Sequence, residues 1–394
     1  MIKKTRLSLI MAMIALLANM AVYAQETSGK TTFAPISTQV PSLSIAPDAR
    51  GGGMGDNGVS SLPDINSQYW NPSKYAFMES KAGVSLSYTP WLRKLVNDVA
   101  LANLTGYYKF GRNDNQAIGA SLRYFSLGDV AERENTGDVP IYTNPYEMAF
   151  DVGYNTKLSE SYSMGVTFRY IRSDMGVDPQ DEKHAGNAVA ADISGYLEKY
   201  VMMGGAEALW SMGYNASNMG SKISYDGGTT TYFLPTKLQL GTGLLYPLDQ
   251  YNSIGVYLEL SKYMVPSVPI RKEGESDADF SKRQENYKTM GSITGIFKSF
   301  SDSPNGFKGE LDEIMASLGL EYCYNNQFFM RGGYFYENQN VGNRKYFSFG
   351  AGFRMSVFQL DAAYLVSTVQ SNPLDQTLRF SLSFDMDGLK NLFK

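Results

Sequence analysis

The sequence predicts an all-β chain, a 14-stranded antiparallel transmembrane β-barrel with an amino-terminal periplasmic hatch and long extracellular loops. Three observations carry this. Apolar and polar residues alternate over fourteen segments, most of them 10–14 residues long. A tilted strand needs about 9–11 residues to cross a bilayer, whereas the ordinary globular strand runs to about 5–6. The connections are sorted by parity, tight after even-numbered segments and long after several odd-numbered ones, which is the pattern of an outer-membrane barrel. The composition agrees: 28 Tyr, 21 Phe and 38 Gly among 394 residues, with mean hydropathy −0.27.

Residues 1–24 read as a signal peptide. Lys3, Lys4 and Arg6 form a positive start, Leu7 to Met20 is nearly unbroken in its apolar character, and Ala21-Val-Tyr-Ala24 supplies small residues for cleavage. The apolar stretch is short for a spanning helix, and no later run is long enough for one. An exported chain without such a helix is either soluble or a barrel, and the alternation favours the barrel.

Residues 25–80 form an amino-terminal extended segment and hatch. Thr31–Pro47 is rich in Pro, Ser and Thr. Gly51, Gly52 and Gly53 follow, three glycines that permit turns barred to other residues, and then Asn71-Pro72-Ser73. A phosphate loop would need a Gly-Lys-Ser/Thr ending before a helix, which is missing here. The expectation is a hatch folded into the short-turn mouth of the barrel.

The barrel itself is expected over 81–386, with segments near 81–90, 99–110, 115–127, 146–158, 161–174, 188–200, 205–217, 235–247, 251–263, 312–325, 327–338, 344–355, 357–369 and 374–386. In the last of these Leu378, Phe380, Leu382, Phe384 and Met386 lie opposite Thr377, Arg379, Ser381, Ser383 and Asp385. Segments 99–110 and 327–338 alternate poorly. The polar faces place Arg123, Asp151, Arg169, Asp192, Glu259, Glu321, Arg354, Asp361, Arg379 and Asp385 in the lumen, where opposite charges can pair. Tyr88, Tyr107, Tyr108, Tyr124, Tyr170, Tyr246 and Tyr364 suit interfacial girdles. An even strand count puts both termini on the short-turn, periplasmic side. Residues 387–394 follow as a carboxy-terminal tail.

The 264–311 connection is by far the longest, and loops of that length are usually functional or disordered. Arg271–Lys288 is charged. Met290, Ile293, Ile296, Phe297 and Phe300 then recur at the spacing of one helical face. Such a face needs a cover, either the barrel's own mouth or a protein partner.

Composition excludes several classes. With one histidine and one cysteine, no Cys/His zinc site and no internal disulfide can form. No metal and no cofactor is expected. Without the leader, 32 basic residues face 39 acidic ones, so nothing draws the chain to nucleic acid. A membrane-embedded hydrolase would have to use His184, which follows the charged run Asp178–Lys183, and no strand-borne serine accompanies it. Cys323 reads as a small packing residue.

The run Asp48-Ala-Arg-Gly-Gly-Gly-Met-Gly-Asp56, with Tyr69-Trp-Asn-Pro-Ser-Lys-Tyr-Ala-Phe77 and Val84-Ser-Leu-Ser-Tyr-Thr-Pro-Trp91, resembles the PorV (LptO) family. These are outer-membrane proteins of the type IX secretion system of Bacteroidetes. Their barrel is similar to that of the FadL fatty-acid transporters, with fourteen strands and a hatch bearing an Asn-Pro-Ala motif. Asn71-Pro72-Ser73 departs from it in the third residue, which is expected to change little sterically. The resemblance implies a protein without enzymatic activity in the outer membrane. Its implied partners are the translocon channel (SprA- or Sov-like), the carboxy-terminal signal domains of cargo, and an attachment complex with PorU-, PorZ- and PorQ-like members. The alternative is a FadL-like transporter of hydrophobic small molecules, which predicts an apolar lumen.

Overall fold

A computed structural model describes residues 33–91, 98–132, 140–176, 185–369 and 374–386. The leader, His184 and the tail lie outside the described residues. Fourteen antiparallel strands close into one barrel: Ala82–Pro90, Val99–Phe110, Gln116–Leu127, Tyr146–Lys157, Tyr162–Asp174, Gly186–Met203, Ala206–Gly220, Lys237–Pro247, Asn252–Tyr263, Met315–Tyr324, Phe328–Tyr336, Lys345–Met355, Phe358–Ser367 and Leu378–Asp385. Each pairs with its neighbour in sequence, and the first pairs with the last in the register Leu86↔Leu382. Closure removes the free edges that lipid could not hydrogen-bond. A small hairpin, Val130–Glu132 with Ile141–Thr143, stands in the loop after the third strand and was not foreseen.

The alternation sorts as expected. Leu86, Leu104, Phe150, Leu240 and Phe349 are exposed on the outer face, and Phe168 is 70% exposed there. Ser85, Ser121, Arg169 and Asp361 are buried on the inner one. The tight turns use left-handed residues: Gly204-Gly205 make a two-residue hairpin loop whose twist they match, and Asn325-Asn326 lie in the three-residue loop between Tyr324 and Phe328.

The two poorly alternating segments are strands all the same. Their inner faces carry apolar residues near the long loops: Val99 and Leu101 pack with Ile45 and Phe125, and Phe335 packs with Met315, Tyr346 and Leu365. A third buried cluster sets Val40 and Leu43 against Ala149, Ile171, Ala188, Ala190, Ile223 and Leu234. Inside this barrel the long-loop end is an apolar core, which period-two alternation cannot register.

The amino-terminal segment departs from expectation. Ala82 and Asp385 lie at the short-turn end, as strand parity requires. Ala34 N, however, donates to Asn340 O at 2.9 Å, and Gln39 N donates to Phe233 O at 3.0 Å, both acceptors being in long loops. From there the chain runs down the lumen. Tyr75 packs with Tyr107 and Ala117 near the short turns, and Lys109 N donates to Lys81 O at 2.7 Å. The hatch therefore fills the lumen from end to end instead of folding into the short-turn mouth. Because it adds one traverse that strand counting omits, the first described residues and the end of the last strand lie at opposite ends.

Candidate functional site: a filled lumen and an exposed loop helix

The glycine run builds a compact turn. Asp48 caps the short helix Ala49–Gly52, accepting from Gly51 N at 2.8 Å, and its other oxygen accepts from Trp70 Nε1 at 2.6 Å. A backbone amide that would face a phosphate in a nucleotide loop is thus taken by the chain's own carboxylate. The glycines make room for close neighbours. A Cβ on Gly51 would lie 2.5 Å from the Trp70 ring, and one on Gly52 would lie 2.3 Å from the Arg379 guanidinium. At Gly53 it would lie 3.1 Å from the backbone of Gly350 in the wall. Inward-facing glycines therefore let two backbones meet.

Asn71 ties three places together. Its Nδ2 donates to Val59 O and Gly195 O, each at 2.9 Å, and its Oδ1 accepts from Ser73 N at 3.2 Å. Pro72 opens the short helix Pro72–Phe77, where its missing N–H costs nothing. Ser73 is more than a steric stand-in for alanine. Its Oγ lies 2.7 Å from Ser194 Oγ in the wall, and its carbonyl accepts from Ser163 Oγ at 2.7 Å.

Wall charges hold the hatch. Glu321 accepts from Arg50 at 2.9 and 3.0 Å and from Arg331 at 2.6 Å, and Arg331 continues to Asp361 at 2.6 Å. Asp56 pairs with Arg379 at 2.6 Å, and Gln68 Nε2 donates to Asp151 at 2.6 Å. Glu259 Oε2 accepts the amides of Gly58 and Val59 at 3.0 Å each. Arg169 joins Asp151 and Asp192. Of the expected lumen charges, Arg354 and Asp385 sit at the short-turn mouth, exposed and half-buried respectively. Cys323 is buried, with Asn326 Oδ1 3.7 Å from its sulfur.

Burial also sets the hatch electrostatics. Asp48 is pushed up to about 6 by desolvation and by the nearby Asp64 carboxylate. Lys74, whose Nζ donates to Gly58 O at 2.8 Å and Ser61 Oγ at 3.1 Å, is brought down to about 8 by desolvation. Burial would raise Asp64, but Arg50 and Lys74 together hold it below its ordinary value.

The long loop contains helices Asp277–Thr289, Ser292–Lys298 and Gly306–Asp312. The second carries Ile293, Ile296 and Phe297 of the predicted face, whereas Met290 is extended at the end of the first helix and Phe300 lies past Lys298, so the five do not form one helical face. Gly295 is buried toward Phe233 and Pro266, and Ile296 and Met290 are half-buried, so these two anchor the helix. Ile293 and Phe297 are 73% and 75% exposed, and Phe300 is exposed as well. Phe307, 80% exposed, and Leu311 add apolar surface in the same loop. Their spacing of four residues, about one helical turn, is the sequence signal for this second apolar pair. Lys262 at the end of its strand pairs with Glu313 and with Glu310 at 3.1 Å, pinning the loop's return.

The barrel resembles known ones in fold. The Pseudomonas putida toluene transporter TodX matches at TM-score 0.50 and 9% identity, over 90% of this chain and 99% of that one. A deltaS2S3 mutant of TodX matches at TM-score 0.50 and 12% identity, over 86% and 98%. A Pseudomonas aeruginosa FadL homologue matches at TM-score 0.44 and 11% identity, over 86% and 99%. No curated protein matches in sequence. The family model described as type IX secretion system protein PorV matches residues 28–270, more than half the chain. With its motif residues in a hatch and its strands in a closed fourteen-membered barrel, the chain belongs to the PorV family, an outer-membrane component of the type IX secretion system.

Proposed function

We propose that this chain binds the carboxy-terminal signal domain of secreted cargo at the translocon channel and carries it to the cell-surface attachment complex, with no chemistry of its own. The long-loop end is then the cell-surface side, as in outer-membrane barrels generally. The SprA- or Sov-like channel and the PorU-, PorZ- and PorQ-like proteins are the partners this reading requires. The observation that carries it is the loop helix, anchored by Gly295 and Ile296 while Ile293, Phe297 and Phe300 stand exposed. Contiguous apolar surface held outward on a pinned loop marks an interaction site.

The small-molecule alternative draws on a fold shared with a toluene transporter. Against it stand a lumen occupied by the hatch and a cavity lined by Arg123, Arg169 and Lys237.

The test replaces Ile293 and Phe297 together by Asp and recovers the tagged protein from its own outer membrane in mild detergent. The barrel should remain inserted and folded, while recovery of the channel and of cargo bearing carboxy-terminal domains should fall at least several-fold. Undiminished recovery would remove the loop helix from the docking site.

A further inference from the structure

Two long connections meet over the upper end of the hatch. In the one that follows the strand Ala206–Gly220, Ile223 and Tyr232 form an antiparallel bridge, each amide donating to the other's carbonyl at 2.9 and 2.8 Å. Ile223 and Leu234 are buried with Val40 and Leu43 of the amino-terminal segment, and Phe233 O accepts from Gln39 N at 3.0 Å. This connection is therefore seated on the hatch.

Lys222 and Phe233, each one residue from that bridge, engage the long loop instead. The Lys222 ammonium lies 4.5 Å from the centroid of the Phe233 ring and donates to Lys288 O at 2.7 Å and to Met290 O at 3.5 Å. These carbonyls stand at the end of the helix Asp277–Thr289, where unpaired acceptors and the helix dipole both favour a cation. The Phe233 ring meets Tyr287 edge-on, with centroids 5.7 Å apart. A Cβ on Gly295 would lie 3.0 Å from the Phe233 ring and 3.1 Å from Pro266, so the helix Ser292–Lys298 rests its bare glycine there. Gly295 is two residues from both Ile293 and Phe297, which puts it on the far side of the helix from them. Seating Gly295 on Phe233 thus turns Ile293 and Phe297 outward, and both are exposed.

We infer, on the docking role proposed above for the helix Ser292–Lys298, that Phe233 and Lys222 are its positioning residues. Lys222 fixes the joint between the first two loop helices, and Phe233 fixes which side of the second faces away from the barrel. The docking surface is then set by three segments distant in sequence: the amino-terminal segment, the connection carrying Lys222 and Phe233, and the long loop itself.

Hydrogen–deuterium exchange of the full chain in detergent reads the seat, and recovery of the channel from the outer membrane reads the docking. Phe233→Ala and Lys222→Met should each speed exchange of the amides in Ser292–Lys298 several-fold and lower channel recovery, with Ile293 and Phe297 untouched. Lys222→Arg should restore both readouts, because a guanidinium can donate to the same carbonyls over the same ring. A general loss of stability would not be rescued in this way. The amides of Gly58 and Val59, which donate to Glu259 in the hatch, should exchange as in the wild type. Lys222 is half-buried in a loop, so its variants keep the test open should Phe233→Ala fail to fold. Wild-type exchange of Ser292–Lys298 in Lys222→Met would overturn the inference. Faster exchange with undiminished recovery would uphold the seat and overturn the docking role.

Discussion

Arg50 of the hatch grips Glu321 of the wall with two parallel bonds, Nε to Oε2 at 3.0 Å and Nη2 to Oε1 at 2.9 Å. The residues are 271 positions apart in sequence, and both are buried. Bidentate geometry of this kind is directional as well as strong, so it fixes the hatch in orientation as well as in place. Breaking one side of a buried pair costs about 3–5 kcal/mol, because it strands the other charge. Glu321→Gln should therefore undock the hatch while the strands stay closed. Planar-bilayer recordings should show conductance well above wild type. Conductance equal to wild type would mean that the other hatch contacts suffice.

A second prediction uses pH. Asp48 titrates near 6 in the folded chain against an ordinary 3.8, so its ionised form is penalised by folding. That penalty is fully present above about pH 6 and is relieved as pH falls toward 3.8. Lys74 titrates near 8 against an ordinary 10.5, so its penalty is present below about pH 8 and is relieved as pH rises toward 10.5. The hatch should consequently dock least tightly between about pH 6 and 8. Trp70 reports the acid limb directly, since its indole donates to Asp48. In a chain with Trp91 and Trp210 replaced by Phe, Trp70 emission should titrate with a midpoint near 6. Asp48→Asn should abolish the step; a step that survives would assign it to another group.

Adjacent glycines in one strand give a third. A Cβ on Gly333 would lie 2.0 Å from the Met54 carbonyl carbon and 2.1 Å from Gly55 N, whereas one on Gly332 would meet nothing within 4 Å. Gly333→Val should displace the Met54–Asp56 turn and expose it to protease in detergent. Gly332→Val should leave cleavage unchanged. Equal protection of both variants would show that the wall can yield there.

The outer face supplies a fourth. Phe168 stands midway along Tyr162–Asp174 and is 70% exposed on the face assigned to lipid. Phe168→Lys should destabilise the inserted barrel by about 2–4 kcal/mol in a lipid-vesicle unfolding titration. Thr167→Ser, on the buried inner face, should change it little. A neutral Phe168→Lys would place that position outside the hydrocarbon.

Much of this was legible in the sequence because bilayer and lumen impose a period of two. Phe168 and Arg169 sort to opposite faces with no knowledge of their neighbours. The fourteen segments and their connections follow from the same rule. What could not be read were contacts set by the third dimension. Nothing local to Asp48 announces Trp70, and nothing local to Gly333 announces Met54. The strand Phe328–Tyr336 hid its pattern because Phe329 and Phe335 are buried where polar residues were sought. Of the loop face, Ile293, Phe297 and Phe300 stand exposed, which spacing alone does not decide. Met290 and Ile296 were assigned to the same face and instead anchor it, since helical spacing alone does not reveal which side the rest of the loop covers.

The hatch also bears on how the barrel is assembled. The ring closes where the first strand meets the last, with Ser85 and Ser87 bonded to Ser383 and Ser381 at 2.9 and 2.7 Å. The hatch touches that seam from within, Ala49 N donating to Ser381 Oγ at 2.9 Å and Asp56 accepting from Arg379. Sewing the final strand in place therefore completes contacts on both sides at once. A chain already threaded through the lumen can serve as a mandrel for closure, so that a ring sealed without it would be a different, emptier product.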